Sequence, residues 1–182
     1  MKRKTTKEIL AESLQELAQK KSIEKITVKE ITDNCEFSTT TFYRLFHDKY
    51  DLIMWDYLRS TNTIMEKIGI NGYPWSQTLY DALRFFWNKR DYIRNLLLHT
   101  SGHDAFVRQQ TKAHIDLLEN YILKSSGQEV LDDDTEIFIR MYVFATVQMI
   151  SGWLTGEIEC SADHLGRLFE DMVPEKLKQY LY

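Results

Sequence analysis

Glycine and proline are scarce, with seven and two residues in a chain of 182. A fold made of tight turns needs many of both. The left-handed hairpin dipeptides are reduced to the single Asn71-Gly72, which argues against an all-β chain. Cysteine is nearly absent: Cys35 and Cys160 stand far apart and outside any CxxC pair. Neither a disulfide framework nor a zinc ribbon follows, and both read as small core hydrophobes. Long uncharged runs are missing as well. The longest, Met141 to Gly156, has sixteen residues, short of the roughly 20 that span a bilayer as a helix, so no membrane partner is expected. The stretch from Met1 to Glu8 is basic and polar, without the apolar run of a signal peptide, and a cytoplasmic location is expected. No HExxH, glycine-rich phosphate loop or readable Ser/His/Asp triad is present, so nothing points to an enzyme or a cofactor.

What the chain does have is helical material. Hydrophobic residues make up 43% and charged residues 27%, a balance suited to one compact domain or to a small module joined to a larger body. The net charge of −4 hides an asymmetry. Residues 1–50 carry ten Lys/Arg against eight Asp/Glu, whereas residues 51–182 carry thirteen against nineteen. A basic reader attached to an acidic body has this form.

Apolar residues at Leu10, Leu14 and Leu17 recur at helical spacing and predict a first amphipathic helix. Thr27-Val28-Lys29-Glu30 has the pattern of a capping box and opens a second, short helix with Val28, Ile31 and Cys35 inward. Ser38 then caps a third, with Phe42, Leu45 and Phe46 inward. Asp48 opens a long fourth helix that carries Leu52, Trp55, Leu58, Ile64 and Met65 and meets no breaker before Gly69. Helical segments follow over 75–89, 91–100, 103–125, 135–155 and 161–172. We place a domain boundary on the fourth helix, which gives a reader over 1–50 and a body over 51–182.

The second and third helices abut through a turn at Glu36 and Phe37, which makes a helix-turn-helix and presents the start of the third helix to a DNA major groove. Phe42 and Phe46 share one face of that helix, and Thr40, Tyr43 and Arg44 the other. Threonine can bond base edges and touch a thymine methyl, and arginine can grip guanine with two bonds. Thr39, Thr40 and Arg44 are therefore the base-reading candidates. Thr27, Lys29, Tyr43 and Lys49 are the phosphate candidates. Lys2, Arg3, Lys4 and Lys7 read as a solvated tail.

These residues resemble a known family. Ile26-Thr27-Val28-Lys29-Glu30-Ile31, Ser38-Thr39-Thr40-Thr41-Phe42-Tyr43-Arg44-Leu45-Phe46 and Asp48-Lys49-Tyr50-Asp51-Leu52 look like the DNA-binding region of the TetR family of bacterial transcriptional regulators, over residues 5–58. The resemblance implies an all-α homodimer on a palindromic double-stranded operator. It also implies a carboxy-terminal domain that binds a small effector, and phosphate contacts from Tyr43 and Lys49. Where the family commonly has glycine in the turn, this chain has Glu36, and Phe37 replaces a small aliphatic. Tyr73-Pro74-Trp75, Phe85-Phe86 and Asn88 resemble the branch that includes the dihydroxyacetone kinase operon activator, in which a partner protein carries the ligand.

In the body, Ile137 to Leu154 is apolar around nearly its whole circumference, more than one protomer of this size is expected to cover. Met149, Trp153, Leu165, Leu168, Phe169 and Met172 are accordingly expected in a two-fold, four-helix dimer interface. Trp75, Phe85, Phe86, Trp87, Tyr92, Tyr121, Tyr142, Phe144 and Trp153 read as core, and Phe86, Tyr121, Arg140, Tyr142 and Gln148 as the lining of an effector pocket. His99 and His103 stand four apart, with Asp104 and His114 nearby, but Ser101-Gly102 breaks the helix between the first two, so they need not share a face and no metal is expected. Asp132-Asp133-Asp134 reads as a loop with a helix cap. The expected function is a dimeric transcriptional regulator, a repressor controlled by an effector or partner. The alternative is a helical protein–protein adaptor or co-activator with little DNA affinity of its own.

Overall fold

A computed structural model describes residues 3–102 and 105–182. Among them are ten α-helices and no strand. The first four are α1 (Thr6–Ala18), α2 (Val28–Asn34), α3 (Thr39–Tyr43) and α4 (Lys49–Met65). The body adds α5 (Trp75–Asn88), α6 (Arg90–His99), α7 (Phe106–Ser126), α8 (Asp133–Thr155), α9 (Ala162–Asp171) and α10 (Glu175–Leu181). The order matches the sequence reading except for α10, which is too short for its periodicity to stand out. The expected helix start at His103 lies outside the described residues.

Local chemistry starts each helix of the amino-terminal unit. Thr5 with Glu8 and Thr27 with Glu30 form reciprocal capping boxes, Ser38 Oγ accepts from the Thr41 amide, and Asp48 accepts from the Tyr50 and Asp51 amides. Each cap satisfies donors that a free helix end would leave bare. Leu10, Leu14, Ile23, Ile26, Ile31, Phe42 and Leu52 are fully buried and hold α1 to α4 around one small core.

Further along the chain, α4 leaves that core and packs on α5 and α7, so one continuous helix belongs to both units. Polar ties reinforce the junction. Asp56, buried on α4, accepts from Gln15 of α1 at 2.6 Å and pairs with Arg59 and Lys89. Asn95 of α6 donates to the carbonyls of Ala18 and Lys21 and accepts from the Ile23 amide, all within 2.9 Å. A single side chain thus closes the end of α1 against the 3-10 turn Ile23–Lys25.

The central helix of the body is α8, packed by α5, α6, α7 and α10. One protomer covers more of it than its composition suggested. Ile139, Val143, Val147, Ile150 and Leu154 are buried, and one stripe of Ile137, Met141 and Phe144 stays half exposed. By length and composition α8 could cross a membrane, but half of that stretch is buried against other helices, which is how a core helix reads. Its start is capped by Asp132, as expected, and the same carboxylate meets Lys176 of α10 at 2.8 Å. Cys35 and Cys160 are half-buried at the edges of the core, and Trp87 and Phe144, expected inside, are half exposed.

Candidate nucleic-acid interface and body cavity

The turn before α3 forms because the end of α2 forces it. The Phe37 amide reaches back to the Thr32 carbonyl at 2.9 Å and the Glu36 amide to Asp33 at 3.3 Å. This pair of bonds is the Schellman arrangement, which requires a left-handed residue just past the cap. Glu36 is that residue, with φ of 60°. The chain therefore keeps the geometry that glycine would supply, at the cost of a strained side-chain-bearing residue.

α3 ends at Tyr43, short of the Leu45 and Phe46 expected on it, but in the helix and the turn that follows the apolar and polar sides still divide as the pattern predicts. Phe42 and Phe46 are buried, and Thr39, Thr40, Tyr43 and Arg44 are exposed, Tyr43 by 60%. The Tyr43 ring rests edge-on against Phe42, which fixes where its hydroxyl projects. Lys29 is also exposed and forms an i,i+4 pair with Asp33 at 2.6 Å. Such solvated pairs contribute little and exchange readily for a phosphate.

Two of the expected phosphate contacts are engaged elsewhere. The Lys49 ammonium donates to the carbonyls of Ile23, Glu24 and Ile26, each at 2.8 Å. Its three N–H groups are spent on the end of the 3-10 turn, so it staples α4 to that turn, and desolvation lowers its pKa. The Thr27 hydroxyl is occupied by its capping box. Beside it, Lys21 and Thr27 hold the Glu30 carboxyl at about 2, so a negative charge stands where a phosphate was expected. Of the expected solvated tail, Lys4 pairs with Glu12, but Lys7 belongs to α1 and lies over the rings of Phe46 and Trp55; Lys2 lies outside the described residues.

Between α4, α5, α7, α8 and α9 lies a cavity of about 90 Å3. Phe86 and Tyr142 line it, as the sequence suggested, but three expected members do not. Arg140 and Gln148 are exposed on the outer side of α8, Arg140 meeting Glu119 at 3.5 Å, and Tyr121 is half-buried elsewhere on α7. Aromatic and polar residues at helical spacing show that a face exists, not which neighbour it meets. His114, weighed in the sequence only as a metal ligand, lines the cavity instead. Its Nε2 lies 2.6 Å from the Tyr57 hydroxyl of α4, and its ring stacks on the tyrosine ring. Burial pulls its pKa down to about 4 and pushes that of Tyr57 up. His103 and Asp104, considered with His99 and His114 as metal ligands, lie outside the described residues.

The expected dimer residues divide too. Trp153, Leu165 and Phe169 are at most 4% exposed within one protomer, so they belong to its own core. Leu168 and Met172 are exposed and Met149 is half-buried.

Several solved structures share this architecture. The dihydroxyacetone kinase operon activator DhaS is 18% identical, with a TM-score of 0.65 over 97% of this chain and 98% of that one. A TetR transcriptional regulator from Rhodococcus sp. RHA1 is 17% identical, with a TM-score of 0.66 over 93% and 97%. The TetR family repressor AlkX from Dietzia sp. strain DQ12-45-1b is 14% identical, with a TM-score of 0.55 over the whole of both chains. Among curated proteins none matches. At these identities the structures speak to the fold alone. The sequence profile of the transcriptional regulator C-terminal region of the TetR type, however, matches residues 74–175, more than half of the chain, and it does so outside the helix-turn-helix. That match shows the family: the chain belongs to the TetR family of transcriptional regulators.

Proposed function

We propose that this regulator binds a palindromic operator as a homodimer, with residues 1–50 as the reader, and represses until an effector or partner acts on the body, residues 51–182. One observation carries the reading. The polar side of α3, with Thr39, Thr40, Tyr43 and Arg44, is exposed, and its apolar side is locked by Phe42 and Phe46. Thr39, Thr40 and Arg44 reach base edges, and Tyr43 and Lys29 reach phosphate. The two subunits meet along the exposed stripe of α8, Ile137, Met141 and Phe144, with Leu168 and Met172 of α9 beside the core. An apolar stripe on a long helix marks such an interface. The effector occupies the cavity next to α4.

Fluorescence anisotropy with duplexes from the region upstream of its own gene cluster tests the reading. The logarithm of affinity should fall linearly with the logarithm of salt concentration. Arg44→Ala should cost roughly 10-fold or more on the preferred duplex and far less on unrelated sequence, the signature of a lost base contact. Tyr43→Ala should weaken all duplexes alike. Binding that ignores salt, or an Arg44→Ala variant equal to the parent, contradicts it.

A further inference from the structure

The cavity carries information about what it can hold. None of its lining residues is charged, so a carboxylate or ammonium inside would have no counter-charge, a costly arrangement. Most polar groups in the wall are already committed to the protein. The hydroxyls of Thr61, Thr78 and Thr146 donate to carbonyls of their own helices or the preceding turn, and the Tyr142 hydroxyl donates to the Phe169 carbonyl and accepts from Trp75 Nε1. His114 differs. Its Nε2 is bonded to Tyr57, but its Nδ1 makes no hydrogen bond to a described residue and, on a half-buried ring, is not enclosed by the protein. Whichever tautomer is present, a neutral imidazole offers one donor and one acceptor, so Nδ1 keeps one unused capacity of either sign. Burial keeps that ring neutral at physiological pH.

We infer that the cavity binds a small, uncharged, mainly apolar molecule bearing one hydroxyl-like group, and that this group bonds His114 Nδ1. A hydroxyl suits both tautomers because it can donate or accept. Size sets the upper limit. A dry cavity of roughly 150 Å3 admits benzene, and this one measures about 90 Å3, so a single ring enters with a shift of the flexible Met65 side chain in its wall. Occupancy also selects the tautomer. An acceptor at Nδ1 fixes the form in which Tyr57 donates to Nε2, and a donor at Nδ1 reverses that bond. Tyr57 lies on α4, the helix that continues into the reader, so the occupant acts on the rod between the two units. This last consequence rests on the reading of the chain as an effector-controlled regulator; the occupancy itself does not.

Calorimetric titration of the full chain without DNA, using phenol, toluene and benzoate, tests the site. Phenol should bind about 10-fold more tightly than toluene, the worth of one hydrogen bond, and benzoate should not bind. In the unaltered protein, saturating phenol should shift the ring nitrogen resonances of His114. His114→Phe keeps a ring against Tyr57 but should lose the preference for phenol over toluene, whereas His114→Gln, which keeps a donor and an acceptor, should retain part of it. The inference is overturned by benzoate binding as well as phenol, by equal affinities for phenol and toluene, by unmoved His114 resonances, or by no binding of any probe at millimolar concentration. Operator affinity is measured separately, with and without phenol. A chain that binds phenol by this pattern but binds no DNA keeps the site and refutes the regulator.

Discussion

Glu36 stands at φ of 60°, where a Cβ costs roughly 1 kcal/mol or more. Glycine adopts this region freely but loses more chain entropy on folding, which takes back about half of that gain. Glu36→Gly should therefore raise stability by up to about 1 kcal/mol, read as a higher midpoint in urea with an unchanged slope. It should also tighten operator binding modestly, since it removes an exposed negative charge beside α3. His114 sets a second expectation. Its folded pKa of about 4 lies below the value near 6.5 of an unfolded imidazole, so the unfolded chain binds the proton more readily. Stability from this group is complete above about pH 6.5 and falls as pH drops toward 4, by up to about 2 kcal/mol at pH 5. His114→Gln should flatten that part of the curve in urea unfolding between pH 7.5 and 5, and an unchanged slope would show that the imidazole is not protected. The capping box at Thr27 and the caps at Ser38 and Asp48 were legible in the sequence because each spans two or three residues; the matching box at Thr5 was not read there. The engagement of Lys49 was not, since its three carbonyls lie 23 to 26 positions earlier.

Packing helices against one another exposes the same limit and a different test. The periodicity of most helices was legible because each buries one face, and the face repeats every three to four residues; α8, apolar nearly all round, was read from its length and lack of charge instead. What joins the first four helices to the rest of the chain was not legible. Asn95 meets Ala18, Lys21 and Ile23 across more than 70 residues, and no local pattern distinguishes it from any half-buried asparagine. Asn95→Ala leaves two carbonyls and one amide without their partners, partly out of water, so it should cost about 1–3 kcal/mol. Asn95→Asp should cost at least as much near neutral pH. It keeps an acceptor for the Ile23 amide but sets a carboxylate oxygen against two carbonyls that need a donor. If the side chain were merely a surface group, aspartate would be the milder change. Hydrogen exchange at the Ile23 amide, faster in the alanine variant than in the parent, locates the loosening at the end of α1.

Across the whole molecule, the apolar residues of α8 and α9 had two claimants, the protomer's own core and a second subunit, and composition cannot separate them. The helix-turn-helix was readable because its two faces differ in chemistry. Core and interface residues share theirs, so Trp153, Leu165 and Phe169, expected at an interface, turn out to belong to the protomer's core. Burial makes the division: Trp153, Leu165 and Phe169 are taken up within one chain, and Ile137, Met141 and Phe144 are left half exposed. Those three recur at intervals of four and three, which keeps them on one line of α8, and a two-fold axis crossing that line would bring each helix against its copy. Phe144→Glu then places two carboxylates near each other in a desolvated contact, a cost that a surface phenylalanine of the monomer would not impose. Light scattering should give about twice 21.6 kDa for the parent and the single-chain mass for the variant, with little change in circular dichroism because the residue is 53% exposed in the protomer. Operator affinity should fall by about 100-fold or more as two linked readers become independent, and the salt dependence should fall to near half as each complex neutralises fewer phosphates. A variant that remains dimeric would move the two-fold axis elsewhere. One that becomes monomeric while keeping full affinity would mean that the readers never acted as a pair.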